Sequence, residues 1–207
     1  MLGEKANALQ NGYPRWSYLS GCTHGGIILI IIYALGVTPY FDQHPKSSVN
    51  TFLKLSWGEL PTQSVYAMEQ IFCCINGYLL KDYYLFPEGL ELGFLVHHIA
   101  SIVGDCMCLS FPTGAAYIAL NGAMAEFGSV FYNLKELVPG RASAAIYYIM
   151  MAFSNLSCTY ISYQICFNLN TPEPWEGIYC FLAILILFIR WAGYGMQIKT
   201  DLLAKNE

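Results

Sequence analysis

Two adjacent histidines, His97 and His98, stand in the middle of an apolar stretch. Histidine is the side chain whose ordinary pKa lies nearest neutrality, so either ring could act as a general base. Asp82 or Glu126 could supply the carboxylate that orients it. His24, Asn133 and Arg190 are further polar residues in or beside apolar runs. Polar and ionisable groups there are costly unless paired, which makes them functional candidates. Each also has a structural reading. The histidines could bond neighbouring helices, Glu126 could pair with Arg190, Arg190 could snorkel to an interface, and Asp82 could be solvated at a helix end. Asp105 and Glu69 read as packing or hydrogen-bonding residues.

Metal chemistry is disfavoured by spacing. Adjacent residues on a helix do not share a face, and helical ligand pairs sit at i+3 or i+4. The eight cysteines include the neighbours Cys73 and Cys74 and the close pair Cys106 and Cys108, but no CxxC. Neither spacing suits tetrahedral zinc. There is no P-loop, GxGxxG or GxSxG, and no metal or cofactor is expected.

The elements that must hold these residues are apolar helices. Hydrophobic residues make up 56% of the 207 and charged residues only 12%, against about 25% charged in soluble domains. Mean hydropathy is +0.42. The net charge of −4 comes with no basic run, which argues against a nucleic-acid partner. Six windows are long and apolar enough to cross a bilayer core of about 30 Å: 22–41, 64–80, 92–111, 114–134, 142–167 and 178–196. Proline and glycine mark the breaks, at Pro61, Pro87, Gly89, Pro112, Gly114, Pro139, Gly140, Pro172 and Pro174. The expected fold is all-α: one domain over 1–207, a polytopic membrane bundle of about six helices. A short surface helix is expected in the 42–63 connection. Residues 1–20 lack an apolar h-region, so the first span is read as an uncleaved anchor.

Lysine and arginine set the orientation. With six spans, one side collects Lys5, Arg15, Lys81, Lys135, Arg141, Lys199 and Lys205, and the other only Lys46 and Lys54. Both termini are therefore expected in the cytosol. On that frame His97 and His98 lie about 10 Å into the membrane and Glu126 about 13 Å, at 1.5 Å per residue. His24, Asp82, Asn133 and Arg190 fall in the same cytosolic half, which predicts one polar pocket opening to the cytosol. Glu91, His98 and Asp105 share a helix face, with His97 on the face of Ser101. Gly122 and Ser129 flank Glu126 and permit close helix approach. Cys166 and Cys180 fall near the opposite face, where the sequence permits a disulfide.

At these residues the chain resembles the TLC-domain family, which includes ceramide synthases, translocation-associated membrane proteins and a set of small TLC-domain proteins. The likeness runs from about Arg15 to Leu203. Arg15-Trp16-Ser17 with Ser20 and His24 is similar to the family's opening segment. Gly77-Tyr78-Leu79-Leu80-Lys81-Asp82 is similar to its Gly-Tyr…Asp helix end. The stretch from Phe94 through His97 and His98 to Ser101 resembles its double-histidine helix, and Glu126 to Lys135 the acidic stretch of the small branch. Ceramide synthases carry a second His-Asp pair on the next helix; here only Asn121 and Glu126 occupy that neighbourhood, which favours the small branch.

The resemblance implies lipid homeostasis or sphingolipid handling in an endomembrane, the endoplasmic reticulum. Three readings follow. A cytosol-facing pocket binds or processes an acyl lipid, with His97, His98, Asp82 and Glu126 at its polar end and His24, Asn133 and Arg190 contributing to binding. Alternatively the chain is an N-acyltransferase of the ceramide-synthase type, whose co-substrates would be acyl-CoA and a long-chain base. A third reading is a non-catalytic transport or cargo-sorting membrane protein that works through its loops and tails.

Overall fold

The computed structural model describes residues 9–10, 13–85, 92–109, 113–169 and 175–203. Glu91 and the expected breaks at Pro87, Gly89, Pro112, Pro172 and Pro174 lie outside the described residues, as do the side chain of His24 and both ends of the chain.

The fold is all-α apart from a two-residue antiparallel pair, β1 (Leu9–Gln10) with β2 (Tyr13–Pro14). Helix α1 (Arg15–Cys22) passes through a π-helical turn (Thr23–Ile27) into α2 (Ile28–Gln43). A short α3 (Val49–Lys54) and a 3₁₀ turn (Trp57–Glu59) fill the connection where a surface helix was expected. Then come α4 (Thr62–Leu85), α5 (Leu92–Cys108), α6 (Ala115–Leu137), α7 (Arg141–Asn168) and α8 (Trp175–Leu203). Most helices overrun the apolar windows, because backbone hydrogen bonding continues into polar ends that a hydropathy window does not count. The exception is α5, which ends at Cys108.

Among the described residues two helices are long and apolar enough to cross a membrane, Arg141–Asn168 and Gly177–Asp201. Their outward faces are apolar. On α7 the exposed large residues are Ile146, Ile149, Phe153, Leu156, Tyr160, Tyr163 and Phe167. Steps of three and four place them on one stripe, about 31 Å long at 1.5 Å per residue. Helix α8 carries the same kind of stripe from Ile178 through Phe181, Ile184 and Phe188 to Trp191.

Helix α6 is the central column. It packs on α1, α2, α3, α4 and α7, most extensively on α7. Its buried alanines 115, 116, 119 and 123 leave no side chain long enough to hold neighbours away. Gly122 faces Ile75 of α4, and a Cβ at Gly128 would lie 2.6 Å from the Ser154 hydroxyl oxygen on α7. Buried Met68, Ile71, Phe72, Ile75 and Leu79 form the stripe by which α4 joins this core. Gly114, at φ 76°, adopts the left-handed turn that starts α6, and its N–H donates to the Leu55 carbonyl at 2.9 Å. Helix α5 closes the bundle by packing on α4 and α8. Cys166 and Cys180 are free thiols, so the disulfide that the sequence permits is not formed.

Candidate functional site

Helices α4, α5, α6, α7 and α8 line a cavity of about 80 Å³ whose wall is mostly apolar but carries several polar side chains. About two turns of α5 supply one wall through His97, Ser101, Gly104 and Asp105. Asn121 and Glu126 of α6 face it, and Arg190 of α8 lies at its edge. The structure thus brings together His97, Glu126 and Arg190. Asp105, read from sequence as a packing residue on the His98 face, belongs to the cavity wall. It stands about 80° round the helix from His97, on the edge of the same arc.

His98 points the other way, towards α4. Its Nε2 lies 3.4 Å from Asp82 Oδ2, and the ring is only 3% exposed. That separation is an ion-pair contact and is long for a hydrogen bond. The other Asp82 oxygen, Oδ1, lies 3.5 Å from Lys81 Nζ, which also sits 4.1 Å above the Tyr78 ring. The rings of His97 and His98 are 5.8 Å apart, so the pair connects the cavity to the Asp82 carboxylate. Glu126, 6% exposed, feels the charges of Arg190, His98, Asp82 and Lys81. Carboxylates and cations therefore share one neighbourhood without collapsing into a single pair.

Arg190 neither snorkels nor pairs with Glu126. Its Nε donates to Asn155 Oδ1 at 3.0 Å and its Nη2 to the Ser154 hydroxyl at 2.9 Å, both on α7. Ser154 in turn donates to the Met124 carbonyl of α6 at 2.6 Å. No carboxylate lies within 4.0 Å of this guanidinium among the described residues. Asn121 Nδ2 donates to Ser162 Oγ and Tyr179 Oη, both at 3.1 Å.

Three polar atoms on the cavity wall are buried without a hydrogen-bond partner: His97 Nδ1, Asp105 Oδ2 and Asn121 Oδ1. Each such atom costs about 1–3 kcal/mol if left dry. Together in one cavity they describe a site that water or the polar end of a ligand completes. Among the described residues no three His, Cys, Asp or Glu side chains gather as a metal-binding group would.

Asn133 is not part of this cavity. Its amide lies against Gly21 of α1 and donates to the Ser129 carbonyl at 2.8 Å, so it packs α1 on α6. The residues that sequence reasoning missed as site members, Asp105 and the pair Ser154 and Asn155, carried a weak signal. Asp105 was one more acid in an apolar helix, and Ser154-Asn155 was a polar step in α7. Neither points to a cavity until α8 brings Arg190 alongside.

Comparison with known proteins finds no family model, no curated protein and no solved structure that matches this chain.

Proposed function

We propose that this chain is a polytopic membrane protein that binds or processes an acyl lipid, holding the lipid's polar end in the cavity between α4 and α8. The observation that carries this reading is the cluster of unpartnered polar atoms near buried His98 and its partner Asp82, in a bundle whose α7 and α8 present apolar outer stripes, that of α7 about as long as a bilayer core is thick. Arg190 offers donors, while Asp105, Glu126 and the Asn121 carbonyl offer acceptors. A headgroup with hydroxyl or amine donors and one carbonyl or anionic acceptor answers both sets. The cavity's volume fits such a headgroup and a water or two. The acyl chain would lie along a helix exterior.

Six spans are supported by length. Helices α4 and α6, of 24 and 23 residues, reach about 35 Å, more than the hydrocarbon thickness. Their mean hydropathy is lowered by Asp82, Glu126, Asn133 and Lys135, residues that turn inward or lie near helix ends. The TLC-like motifs support membership of the small TLC-domain branch, residence in the endoplasmic reticulum and cytosolic termini. Tags at both ends should be accessible from the cytosol in selectively permeabilised cells; a lumenal tag overturns the orientation.

The His98–Asp82 contact favours a specific enzymatic version. A carboxylate behind a histidine fixes the ring and stabilises its protonated form, which suits N-acyl transfer from acyl-CoA to a long-chain base. The test uses purified protein, labelled acyl-CoA and a panel of long-chain bases, with His97→Ala/His98→Ala as control. An N-acyl product lost in the control establishes transfer. Acyl lipid that co-purifies in a histidine-dependent way without product establishes binding. Absence of both product and histidine-dependent lipid overturns both readings.

A further inference from the structure

A second site lies outside the histidine cavity, on another side of α6. Helices α3, α6 and α7 border a groove of about 790 Å³, well within the size of small-molecule sites. We propose that this groove seats one glycerophospholipid with an anionic headgroup, its phosphate at Lys54 and an acyl chain running towards Phe153.

The groove is amphipathic along its length. One end is polar, with Asn50 and Lys54 from α3 opposite Gln164 and Asn168 on α7. Lys54 is exposed and makes no ion pair among the described residues. Asn168 and Gln164 already bond each other at 2.7 Å, which fixes two amides at the rim. Towards the other end the lining turns apolar through Ile161, Leu120, Met124 and Phe153. Methionine and leucine adapt to a flexible chain without demanding one shape.

Length matches a single leaflet. Asn168 to Phe153 is fifteen steps along α7, or about 22 Å. A leaflet with its headgroup layer measures about 20–22 Å, half of the 40–45 Å bilayer. The polar rim therefore falls at headgroup depth when Phe153 reaches the bilayer middle. Tyr160 and Phe153, exposed on the α7 stripe, border the groove, so a lipid enters sideways without crossing protein. Among the described residues the rim carries one cation and no acid, and that local charge complements an anionic phosphate headgroup better than a zwitterionic one. The site depends on membrane embedding but not on the histidine cavity.

The test is native mass spectrometry of the full chain taken from vesicles of equal phosphatidylcholine and phosphatidylserine. The chain is expected to retain one phosphatidylserine in preference to phosphatidylcholine. Lys54→Ala, an exposed change, should reduce that preference about fivefold. Leu120→Trp should fill the groove and release both lipids; Ser157→Trp on the α7 wall does the same should the first variant not fold. Lys54→Ala should leave the histidine-dependent acyl-lipid retention of the cavity unchanged, which separates the two sites. Equal retention of the two headgroups by the wild type, or an unaltered preference in Lys54→Ala, overturns the proposal.

Discussion

Replacing Gly128 with alanine should loosen the bundle at a point where α6 and α7 pack closely. A Cβ there would sit 2.6 Å from Ser154 Oγ, 2.8 Å from Ser154 Cβ and 3.0 Å from Arg190 Nη2. Comfortable contacts are about 3.5–4.0 Å, so the helices must part by roughly an ångström. That displacement stretches the 2.6 Å bond from Ser154 to the Met124 carbonyl past its useful range. It also disturbs the Arg190 contact to the same hydroxyl. Overpacking costs about 1–3 kcal/mol, and a weakened bond to a charged group adds about 1 kcal/mol or more. Gly128→Ala should therefore lose about 2–4 kcal/mol, or roughly 5–15 °C of melting temperature. Ser154→Gly removes both crowded atoms. The double variant should recover at least about 1 kcal/mol relative to the sum of the single changes, since touching residues couple by about 0.5–3 kcal/mol. Thermal unfolding in mild detergent of the four proteins measures this. Strict additivity, or a Gly128→Ala protein as stable as the parent, refutes the argument from helix approach.

Other consequences are simpler to read. Asp82→Asn keeps the shape beside His98 but removes the charge; under the proposed function, turnover or histidine-dependent lipid retention should fall about a hundredfold or more with the fold intact, and an unaffected assay rules out the orienting role. Asp201→Asn should release the joint end of α6, α7 and α8, because that carboxylate receives Lys135 at 3.0 Å, Gln197 at 2.9 Å and the Tyr148 hydroxyl. The loss should be about 1 kcal/mol in low salt and less in high salt, read as melting temperature against ionic strength. In the 3₁₀ turn, Glu59 accepts from the Ser56 N–H at 2.8 Å and from its hydroxyl at 2.7 Å, which holds the carboxyl below its ordinary value. The local stabilisation is present above the unfolded pKa and disappears as pH falls through the lowered folded one. The protection factor of the Ser56 amide, corrected for the intrinsic slowing of exchange in acid, should fall on acidification, and Glu59→Gln should abolish that fall.

The helices were legible because long apolar runs bounded by proline and glycine leave the backbone to satisfy itself locally. The windows around α4 to α8 needed only residue type. The ends were less legible, since Lys135, Asp201 and the residues near Leu85 continue helices beyond the apolar part. The joint location of His97, Glu126 and Arg190 could be argued from depth, because all three were placed in one half of the bundle. The division of labour between the two histidines could not. A 100° step separates them, and only the position of α4 decides that His98 meets Asp82 while His97 meets the cavity. The partners of Arg190 were hidden for a related reason. Its partners, Ser154 and Asn155, are neutral, and a search of the sequence for a compensating carboxylate passes them by.

The π-helical turn at Thr23–Ile27 settles how α1 and α2 share a neighbour. Gly21 lies against Asn133 and Gly26 against Val130, both on α6. Residues five apart in an α-helix face directions about 140° apart, so no straight helix could lay both on one partner. The wider turn absorbs the surplus residue and brings them back into line. The insertion acts as a phase corrector between two stretches that would otherwise count out of step. Deleting the surplus residue should leave a regular α-helix with the two glycines four apart and still on one face, whereas straightening the turn at full length would swing α1, with Arg15 and Ser17, off its seat.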